Sequence, residues 1–458
     1  MPAVHPLDTP LFLTRGARSV IGPAKEAAAH AGTMSTLQIT DGRVLLPDMS
    51  VETGDVLVNQ DSGDIVAVGD VETGDETLNA DGCLIMPGLV NAHTHAAMSL
   101  LRGYADDKPL DAWLREDIWP AEASLTPEDV RAGTELALLE FIESGVTSFA
   151  DMYFHEPEVV DAVADAGLRA RLGHGVVTVG KDEADAVADN EESLAFAREY
   201  DGAADGRVKT AYMPHSLTTV DEALLREFTA EAREAGVPLH FHANETRDEV
   251  DPIVEERGMR PLAYADDLGM LTDEDFVAHG VHSDASEIEL LAERGTAVVH
   301  CPASNMKLAS GAAPVQAYRE AGATVALGTD GAASNNDLDV FDEMRDAAML
   351  GKLAAEDASA VPAEAAVDMA TRGGADALGF DAGRIEPGAN ADLAVVDFSA
   401  THLTPVHDYV SHLAYAARGS DVRHTVCDGR VLMRDREVET LDADAVRARA
   451  ADAAANLD

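Results

Sequence analysis

Cysteine is scarce in this chain of 458 residues. The three cysteines, Cys83, Cys301 and Cys427, are odd in number and widely spaced, which argues against a disulfide framework and against a site built from thiolate ligands. Long hydrophobic runs are also lacking, because no apolar stretch approaches the roughly 18 residues that a membrane helix needs. We therefore predict a cytoplasmic protein with no membrane partner.

Positive charge is scarce as well. Lysine and arginine together number 33 against 84 aspartates and glutamates, only six of the basic residues are lysines, and the formal net charge is -51. Because 46% of the chain is hydrophobic, this charge belongs to the surface of a folded protein rather than to a disordered one. Such a surface argues against nucleic acid as a partner and is similar to that of proteins from salt-loving organisms.

Both ends of the chain differ from its centre. Strand patterns begin only after Met34, so we expect residues 1–34 to be a disordered extension, with Met34 as a candidate initiator. Residues 35–87 and 384–440 each show short strands with Asp-Gly or Ser-Gly turns, too few to bury a core alone. We predict that they form one composite β-sandwich rather than two β domains. A C-terminal helix is expected over residues 441–458.

The central region, residues 88–383, alternates apolar strand-like runs with helical stretches. The strand-like runs include 145–151, 169–174 and 208–215, and the spacing of apolar residues indicates an amphipathic helix over 127–144. This alternation is typical of a parallel sheet, and a barrel of this kind takes about 250 residues. The predicted fold class is therefore α/β, a (β/α)8 TIM-type barrel with a small β-sandwich domain built from both termini.

Histidines and carboxylates follow several of these apolar runs. His93-Thr94-His95 places two imidazoles on one face of a strand, and later runs end at His240-Phe241-His242, His279 and Asp330. Because the active site of such a barrel forms where its strands end, we expect these residues to converge. Nitrogen and oxygen ligands without thiolate favour zinc, with iron or manganese as alternatives. At this point His240 remains an alternative ligand to His242.

Hydrolysis is the chemistry that such a site predicts. A metal with one open position lowers the pKa of a bound water from about 15.7 towards 7. Glu245, three residues beyond His242, is placed to move protons between this nucleophile and a substrate.

Seven ordered motifs resemble the amidohydrolase superfamily, and within it the 5′-methylthioadenosine/S-adenosylhomocysteine deaminases and their chlorohydrolase-like relatives. The resemblance covers the chain from about Leu37 to Leu432. The motifs lie at residues 87–95, 100–103, 213–216, 242–245, 279–282, 302–308 and 328–336.

The resemblance implies a role for each candidate residue. The ligands of one divalent metal would be His93, His95, His242 and Asp330. Glu245 would carry a proton to the purine ring nitrogen, Asp330 would take the proton of the attacking water, and His279 would hold the nucleophile and the developing alkoxide. The substrate contacts would be Glu122 at the ribose hydroxyls, His215, Glu245, Asp330 and His174.

Two departures from the superfamily refine this expectation. Members with two metals bridge them by a carboxylated lysine at the end of a middle strand, whereas Lys209 lies near the beginning of the comparable strand, which predicts a single ion. Relatives that accept S-adenosylhomocysteine carry an arginine where this chain has His174, which is mostly neutral at pH 7 by its ordinary pKa. We therefore predict a preference for small 5′ groups, as in 5′-methylthioadenosine, 5′-deoxyadenosine or adenosine.

Two other functions stay open. The same chemistry suits removal of chloride from a triazine, or of the amino group from guanine or a pterin, although Glu122 and His215 favour a ribosylated purine. A non-catalytic binding protein of this fold would be expected to lose ligands or Glu245, and all are present. The resemblance further implies a homo-oligomer.

Overall fold

The computed structural model describes residues 35–457. The extension predicted over residues 1–34, and with it the candidate initiator Met34, lies outside the described residues. Strands in the described part are numbered in chain order. They are β1 Thr36–Leu45, β2 Val51–Asn59, β3 Asp64–Gly69, β4 Glu76–Asn79, β5 Cys83–Pro87, β6 Leu89–Thr94, β7 Val146–Tyr153, β8 Arg169–Val176, β9 Val208–Thr210, β10 Met213–Pro214, β11 His240–Ala243, β12 Phe276–His279, β13 Ala297–His300, β14 Val325–Leu327, β15 Leu393–Asp397, β16 Val422–Cys427, β17 Arg430–Arg434 and β18 Glu437–Val438.

Helices are numbered in the same way, and none in residues 35–457 is both long and apolar enough to cross a bilayer. They are α1 Leu110–Trp113, α2 Trp119–Glu122, α3 Pro127–Ser144, α4 Glu156–Ala166, α5 Glu183–Tyr200, α6 Glu222–Ala235, α7 Arg247–Arg257, α8 Pro261–Asp267, α9 Ala285–Arg294, α10 Pro302–Lys307, α11 Val315–Glu320, α12 Ala332–Asn335, α13 Val340–Ala355, α14 Ala363–Met369, α15 Arg372–Leu378, α16 Tyr409–Tyr415 and α17 Ala443–Ala454. Between α1 and α2 the chain makes a π-helical turn, Leu114–Ile118.

The central strands form a barrel of parallel strands. One parallel sheet has the order β10-β8-β7-β6, with β9 also on β8, and a second has the order β11-β12-β13-β14. The sheets meet where His242 N donates to His215 O at 2.9 Å, and they close where Asp330 N donates to His93 O at 3.0 Å. The predicted α/β barrel of the TIM type is confirmed.

Local sequence explains why these elements form. Helix α3 covers the residues predicted to be helical, because a capping box of Thr126 and Asp129 begins it and Gly145, at a φ of 82°, ends it. The strands are buried on both faces, as parallel strands covered by helices are, and all eight residues of β7 are buried. The run predicted as one strand over 208–215 is split into β9 and β10, and the second piece ends at Pro214, which has no N–H to donate.

A separate nine-stranded sheet unites both ends of the described chain. Its order is β18-β17-β16-β15-β5-β1-β2-β3, with β4 also on β1. Strand β5 from the first part pairs antiparallel with β15 from the second, and Met86 faces Ala394. The apolar cluster on this sheet includes Ile39 and Val56 from one part and Val395 from the other. That the sheet forms a two-layered sandwich remains a prediction.

One glycine brings the last barrel strand against the first. A Cβ on Gly328, just after β14, would lie 2.8 Å from His93 O and 2.9 Å from His93 N. Only a residue without a side chain fits there. This close approach places Asp330 next to His93.

Candidate metal centre and active site

The four predicted ligands lie together at the carboxyl ends of the barrel strands. His93 lies in β6 and His95 follows that strand, His242 lies in β11, and Asp330 follows β14. One ligand atom from each lies within 4.8 Å of the others. Asp330 Oδ1 is 3.5 Å from His93 Nε2 and 3.2 Å from His95 Nε2. The structure thus brings together all the residues predicted to bind metal.

Backbone carbonyl groups orient two of the three imidazoles. His95 Nδ1 lies 2.6 Å from Met152 O, and His242 Nδ1 lies 2.7 Å from His215 O. Because a carbonyl oxygen only accepts, each Nδ1 carries the proton that is donated. The Nε2 atoms therefore turn inward as the atoms available for binding.

Burial keeps most of these imidazoles neutral. It lowers the pKa of His93 to about 4 and holds the pKa of His242 well below its ordinary value. His95 differs, because burial opposes its charge but the hydrogen bond and charge of Asp330 outweigh burial and raise its pKa to about 9. The position beside Asp330 thus favours a cation.

Two hydroxyl groups hold the Asp330 carboxylate. Ser304 Oγ and Ser334 Oγ donate to Asp330 Oδ2 at 2.7 and 2.9 Å. Burial favours the neutral carboxyl, yet the hydrogen bond and charge of His95 hold the pKa of Asp330 well below its ordinary value. Oδ2 is thereby occupied by hydroxyls, and the ionised Oδ1 faces the histidines.

These residues fit a divalent metal ion. His93 Nε2 is buried and has no hydrogen-bond partner among residues 35–457, although a buried imidazole nitrogen normally has one. Three imidazoles and one carboxylate are ligands that zinc accepts, and a water would be the fifth ligand, since catalytic zinc can expand to five-coordinate. An ion at this point would satisfy the unpaired nitrogen and neutralise Asp330.

The predicted proton carriers lie beside the ligands. His279 Nε2 is 3.7 Å from Glu245 Oε2, and Ser310 Oγ donates to Glu245 Oε1 at 3.1 Å. Burial raises the pKa of Glu245. Asn305 Nδ2 lies 3.1 Å from His279 Nδ1 on the far side of that ring. The Glu245 carboxyl is thus biased towards holding a proton next to a fixed imidazole.

His240 is not a ligand, although the sequence left that alternative open. Its Nδ1 lies 2.9 Å from Phe276 O, and its Nε2 lies 2.8 Å from His93 Nδ1. Both ring nitrogens are therefore used within the protein. That alternative is wrong. His240 and His242 lie on the same face of β11, so their spacing could not distinguish them, and only their neighbours in the structure do.

A cavity of about 420 Å³ opens onto the metal centre, within the size range of about 300–1,000 Å³ typical of small-molecule sites. Its walls include Glu122, His174 and His215 together with apolar side chains such as Trp113 and Phe154. A second lobe of about 620 Å³ shares His215, His242 and Glu245 with the first. All predicted substrate contacts therefore line one space.

Glu122 stands in this cavity rather than on a solvated helix face. Its Oε1 is buried and has no hydrogen-bond partner among residues 35–457. Burial raises its pKa to about 7, opposed by Tyr153 and by the charge of His95. Burial together with neighbouring imidazoles lowers the pKa of His215 to about 3, so that side chain is neutral. Both residues are placed to meet a polar substrate group.

His174 is not mostly neutral at pH 7, so that prediction is wrong. Its Nδ1 lies 2.9 Å from Glu156 Oε1 and its Nε2 lies 3.0 Å from Asp189 Oδ1. Burial opposes the charge, but these two carboxylates outweigh it and raise the pKa to about 10. Asp189 also binds Lys181 Nζ at 2.7 Å. The His174 ring lines the cavity, but neither nitrogen is free to bind a substrate.

Lys209 lies away from the metal ligands. It is in β9, donates to Gly379 O, and stands over the ring of Phe380 with Nζ 5.2 Å from the ring centre. This agrees with the expectation that no lysine bridges two metals. The number of ions remains a prediction.

The sequence reasoning assigned no role to Ser304, Ser334 or Asn305, although all three lie in the motifs that carry the resemblance. The signal that was available is their position, since each is a polar residue in the segment directly following a barrel strand. Their hydrogen bonds to Asp330 and His279 became apparent only from the fold.

Comparisons with known proteins agree with this geometry. The model of the amidohydrolase family matches residues 84–432. A 5-methylthioadenosine/S-adenosylhomocysteine deaminase of Halobacterium salinarum is 72% identical, covering 92% of this chain and 98% of that protein. A 5'-deoxyadenosine deaminase of Methanosarcina mazei is 45% identical, covering 93% and 99%. A zinc-bound adenosine deaminase structure from Xanthomonas campestris has a TM-score of 0.86 and 38% identity, covering 92% and 98%. The chain belongs to the amidohydrolase family.

Proposed function

We propose that this chain is a metal-dependent hydrolytic deaminase of adenosine-type nucleosides, which converts the 6-amino purine to the inosine analogue and ammonia. The observation that carries the proposal is the buried pair of Glu245 and His279 beside a complete set of metal ligands. The names of the relatives, which are deaminases of adenosine analogues, support the choice of substrate class.

In this proposal His93, His95, His242 and Asp330 hold one divalent ion, with zinc the first choice and iron or manganese the alternatives. When bound, such an ion supplies the Lewis acidity that makes water a nucleophile at neutral pH. The zinc of the Xanthomonas campestris structure supports that choice.

The residues around the ion account for the protons. Water adds through its oxygen to carbon 6 of the purine, and Asp330, held ionised by His95, accepts the proton that is released. Glu245, whose pKa is raised by burial, gives its proton to the ring nitrogen. Asp330 then passes the proton it accepted to the amino nitrogen, the bond from carbon 6 to that nitrogen breaks and ammonia leaves. The hydroxyl proton at carbon 6 returns to Glu245 as the carbonyl forms. His279, whose Nε2 lies 3.7 Å from Glu245 Oε2, steadies the developing alkoxide.

Glu122 and His215 bind the sugar in this proposal. The 5′ group meets the wall of the cavity that His174, Lys181 and Asp189 form. The His174 nitrogens are committed to Glu156 and Asp189, which supports a preference for small uncharged 5′ groups over the amino acid of S-adenosylhomocysteine. Lys181 is the remaining cation at that wall, and Asp189 already pairs with it. A kcat/KM for S-adenosylhomocysteine equal to that for 5′-methylthioadenosine would contradict the preference.

A substrate panel scored by ammonia release tests the function. We expect turnover of 5′-methylthioadenosine, 5′-deoxyadenosine and adenosine, and little of guanine, a pterin or a chlorotriazine. Glu245→Gln should lower kcat/KM by about 10²–10⁴-fold, because the amide has no proton to give to the ring nitrogen. Turnover of the triazine but of no nucleoside would favour the chlorohydrolase alternative.

Glu343→Gln is the matched control for that variant. Burial, which also raises the pKa of Glu245, raises the pKa of Glu343 well above its ordinary value. The two carboxyl oxygens of Glu343 accept from Asn335 Nδ2 and Ala303 N, and Glu343 does not line the cavity. We expect this variant to keep the activity of the parent. An equal loss in both variants would show that the change at Glu245 acts through folding, and absence of all turnover in the parent would refute a catalytic function.

The proposal includes the organisation of the chain. Residues 88–383 form the barrel, residues 35–87 and 384–440 form a composite sandwich, and the C-terminal segment predicted over residues 441–458 contains helix α17, Ala443–Ala454. The pairing of β5 with β15 supports the composite domain. We further propose a cytoplasmic homo-oligomer acting on a small purine nucleoside.

A further inference from the structure

The three imidazoles of the metal centre differ in what holds their rings. Met152 O and His215 O accept from Nδ1 of His95 and His242, and a carbonyl oxygen leaves no choice of proton position. His93 Nδ1 instead faces His240 Nε2 at 2.8 Å. An imidazole nitrogen either donates or accepts, so the proton position of His93 depends on another side chain.

The hydrogen bond at the other ring nitrogen of His240 decides where the His93 proton lies. His240 Nδ1 lies 2.9 Å from Phe276 O, which only accepts, so this nitrogen carries a proton. A neutral imidazole has one N–H, and His240 Nε2 must therefore accept. The hydrogen at the 2.8 Å contact then belongs to His93 Nδ1, which leaves the lone pair of His93 Nε2 facing Asp330.

We propose that His240 is a positioning residue of the metal centre, which selects the Nδ1–H tautomer of His93 and so presents the His93 Nε2 lone pair to the ion. The His240 ring cannot turn away from this task. It is fully buried and stacks on Phe276 with ring centres 4.0 Å apart and planes 14° apart. The Phe276 carbonyl thus fixes the proton position of His240, and His240 in turn fixes that of the ligand His93.

Chelator competition on the holoenzyme tests this inference. The zinc-loaded full chain is equilibrated with a graded series of chelator, and the zinc that remains per chain is measured by elemental analysis. His240→Leu should weaken retention by about 10–100-fold, the usual effect of losing a hydrogen-bond partner of a metal ligand. His240→Gln should recover most of this loss, because its amide oxygen accepts from His93 Nδ1.

His424→Leu is the matched control. His424 is equally buried, donates through Nε2 to Asn79 O at 3.1 Å and accepts at Nδ1 from Asp435 N at 3.0 Å, but it lies in β16 of the terminal sheet. We expect its zinc retention to match that of the parent. Equal losses in the His424 and His240 leucine variants, or zinc retention unchanged in His240→Leu, would overturn the proposal.

Nitrogen-15 spectra of histidine-labelled protein give a second readout that does not depend on metal. Before zinc is added, the parent should show His93 protonated at Nδ1, and His240→Leu should show protonation at Nε2 as well. A single Nδ1–H form in a folded His240→Leu would overturn the assignment. Neither readout requires deaminase activity, so failure of this inference and failure of the proposed function are distinguishable.

Discussion

The two ends of the barrel use buried charge in opposite ways. At the carboxyl end, burial raises the pKa of the Glu122 and Glu245 carboxyls, and His93 Nε2 has no partner among residues 35–457. At the amino end, Arg169 at the start of β8 binds Asp392 at 2.7 Å and Asp428 at 2.6 Å. Charged groups that are fully paired hold the barrel to the terminal sheet, whereas polar groups without a full set of partners remain available for chemistry.

The largest effect expected is on activity, from a change at the carboxyl end. Asp330→Asn should lower kcat/KM at least about 10³-fold and reduce the zinc content, because it removes both a ligand and the proton acceptor. With both proteins metal-free, the melting temperature of the variant should equal or exceed that of the parent, since the buried charge no longer has to be stabilised. Kinetics, elemental analysis and thermal unfolding check this. If Asp330→Asn kept more than a tenth of the parent activity, the unpaired groups at the carboxyl end would not be those that carry the chemistry.

A change at the amino end should act on stability instead. Arg169→Met leaves the Asp392 carboxylate buried without its cation, and it should lower the free energy of unfolding by about 3–5 kcal/mol. Denaturant unfolding measures this, and the kcat of the folded fraction should not change. Adding Asp392→Asn should recover part of the loss, because the unpaired charge is then removed. A fall in kcat without a fall in stability would show that the ends are not separate.

His174 combines the two cases. It lines the cavity at the carboxyl end, yet both its ring nitrogens are paired with carboxylates. Its pKa is ordinarily near 6.5 and is raised to about 10 in the folded chain, so its contribution to stability is complete below pH 6.5 and is lost as pH rises to 10. His174→Gln should flatten this alkaline decline by up to about 5 kcal/mol in the free energy of unfolding, measured by denaturant titration across that range. His300→Gln is the control, since burial lowers that pKa to about 3 and His300 is neutral throughout. Parallel profiles for His174→Gln and the parent would contradict the assignment.

Salt should have the smallest effect on the difference between the two ends of the barrel, although it should change the stability of the whole protein. A formal charge of -51 repels itself less as salt rises, because the screening length falls from about 10 Å at 0.1 M to about 3 Å at 1 M, so the melting temperature of the parent should rise. The difference in stability between the parent and Arg169→Met should remain nearly constant, since Arg169 and Asp392 are buried. A difference that disappears at high salt would show that the pair is accessible to solvent.

Prediction from sequence succeeded where the information is local. Helix α3 was predictable because its apolar spacing, capping box and terminal glycine all lie within one segment. The convergence of the candidate ligands was predictable because a histidine or aspartate at the end of an apolar run marks the open face of a barrel. The hydrogen bond of His93 to His240 joins residues 147 positions apart. That of Ser304 to Asp330 joins α10 to the segment after β14, so neither bond has a local signature.

His174 shows the same division within one residue. Its place in the cavity wall followed from the motif around Arg169, but its charge depends on Glu156 and Asp189, which come from the start of α4 and from the middle of α5. The ordinary pKa of an imidazole was therefore the wrong guide. Only neighbours brought in by packing could reverse it.

The sequence by itself determined the barrel, the ligand types and the hydrolytic chemistry, because periodic apolar runs and the residues that follow them are properties of short segments. The tertiary structure alone decided which imidazole nitrogens face the metal centre, which carboxyls keep a proton and which histidine is charged. Those properties arise from burial and from contacts between distant segments, and the free energy of a proton depends on every charge within a few ångströms of it.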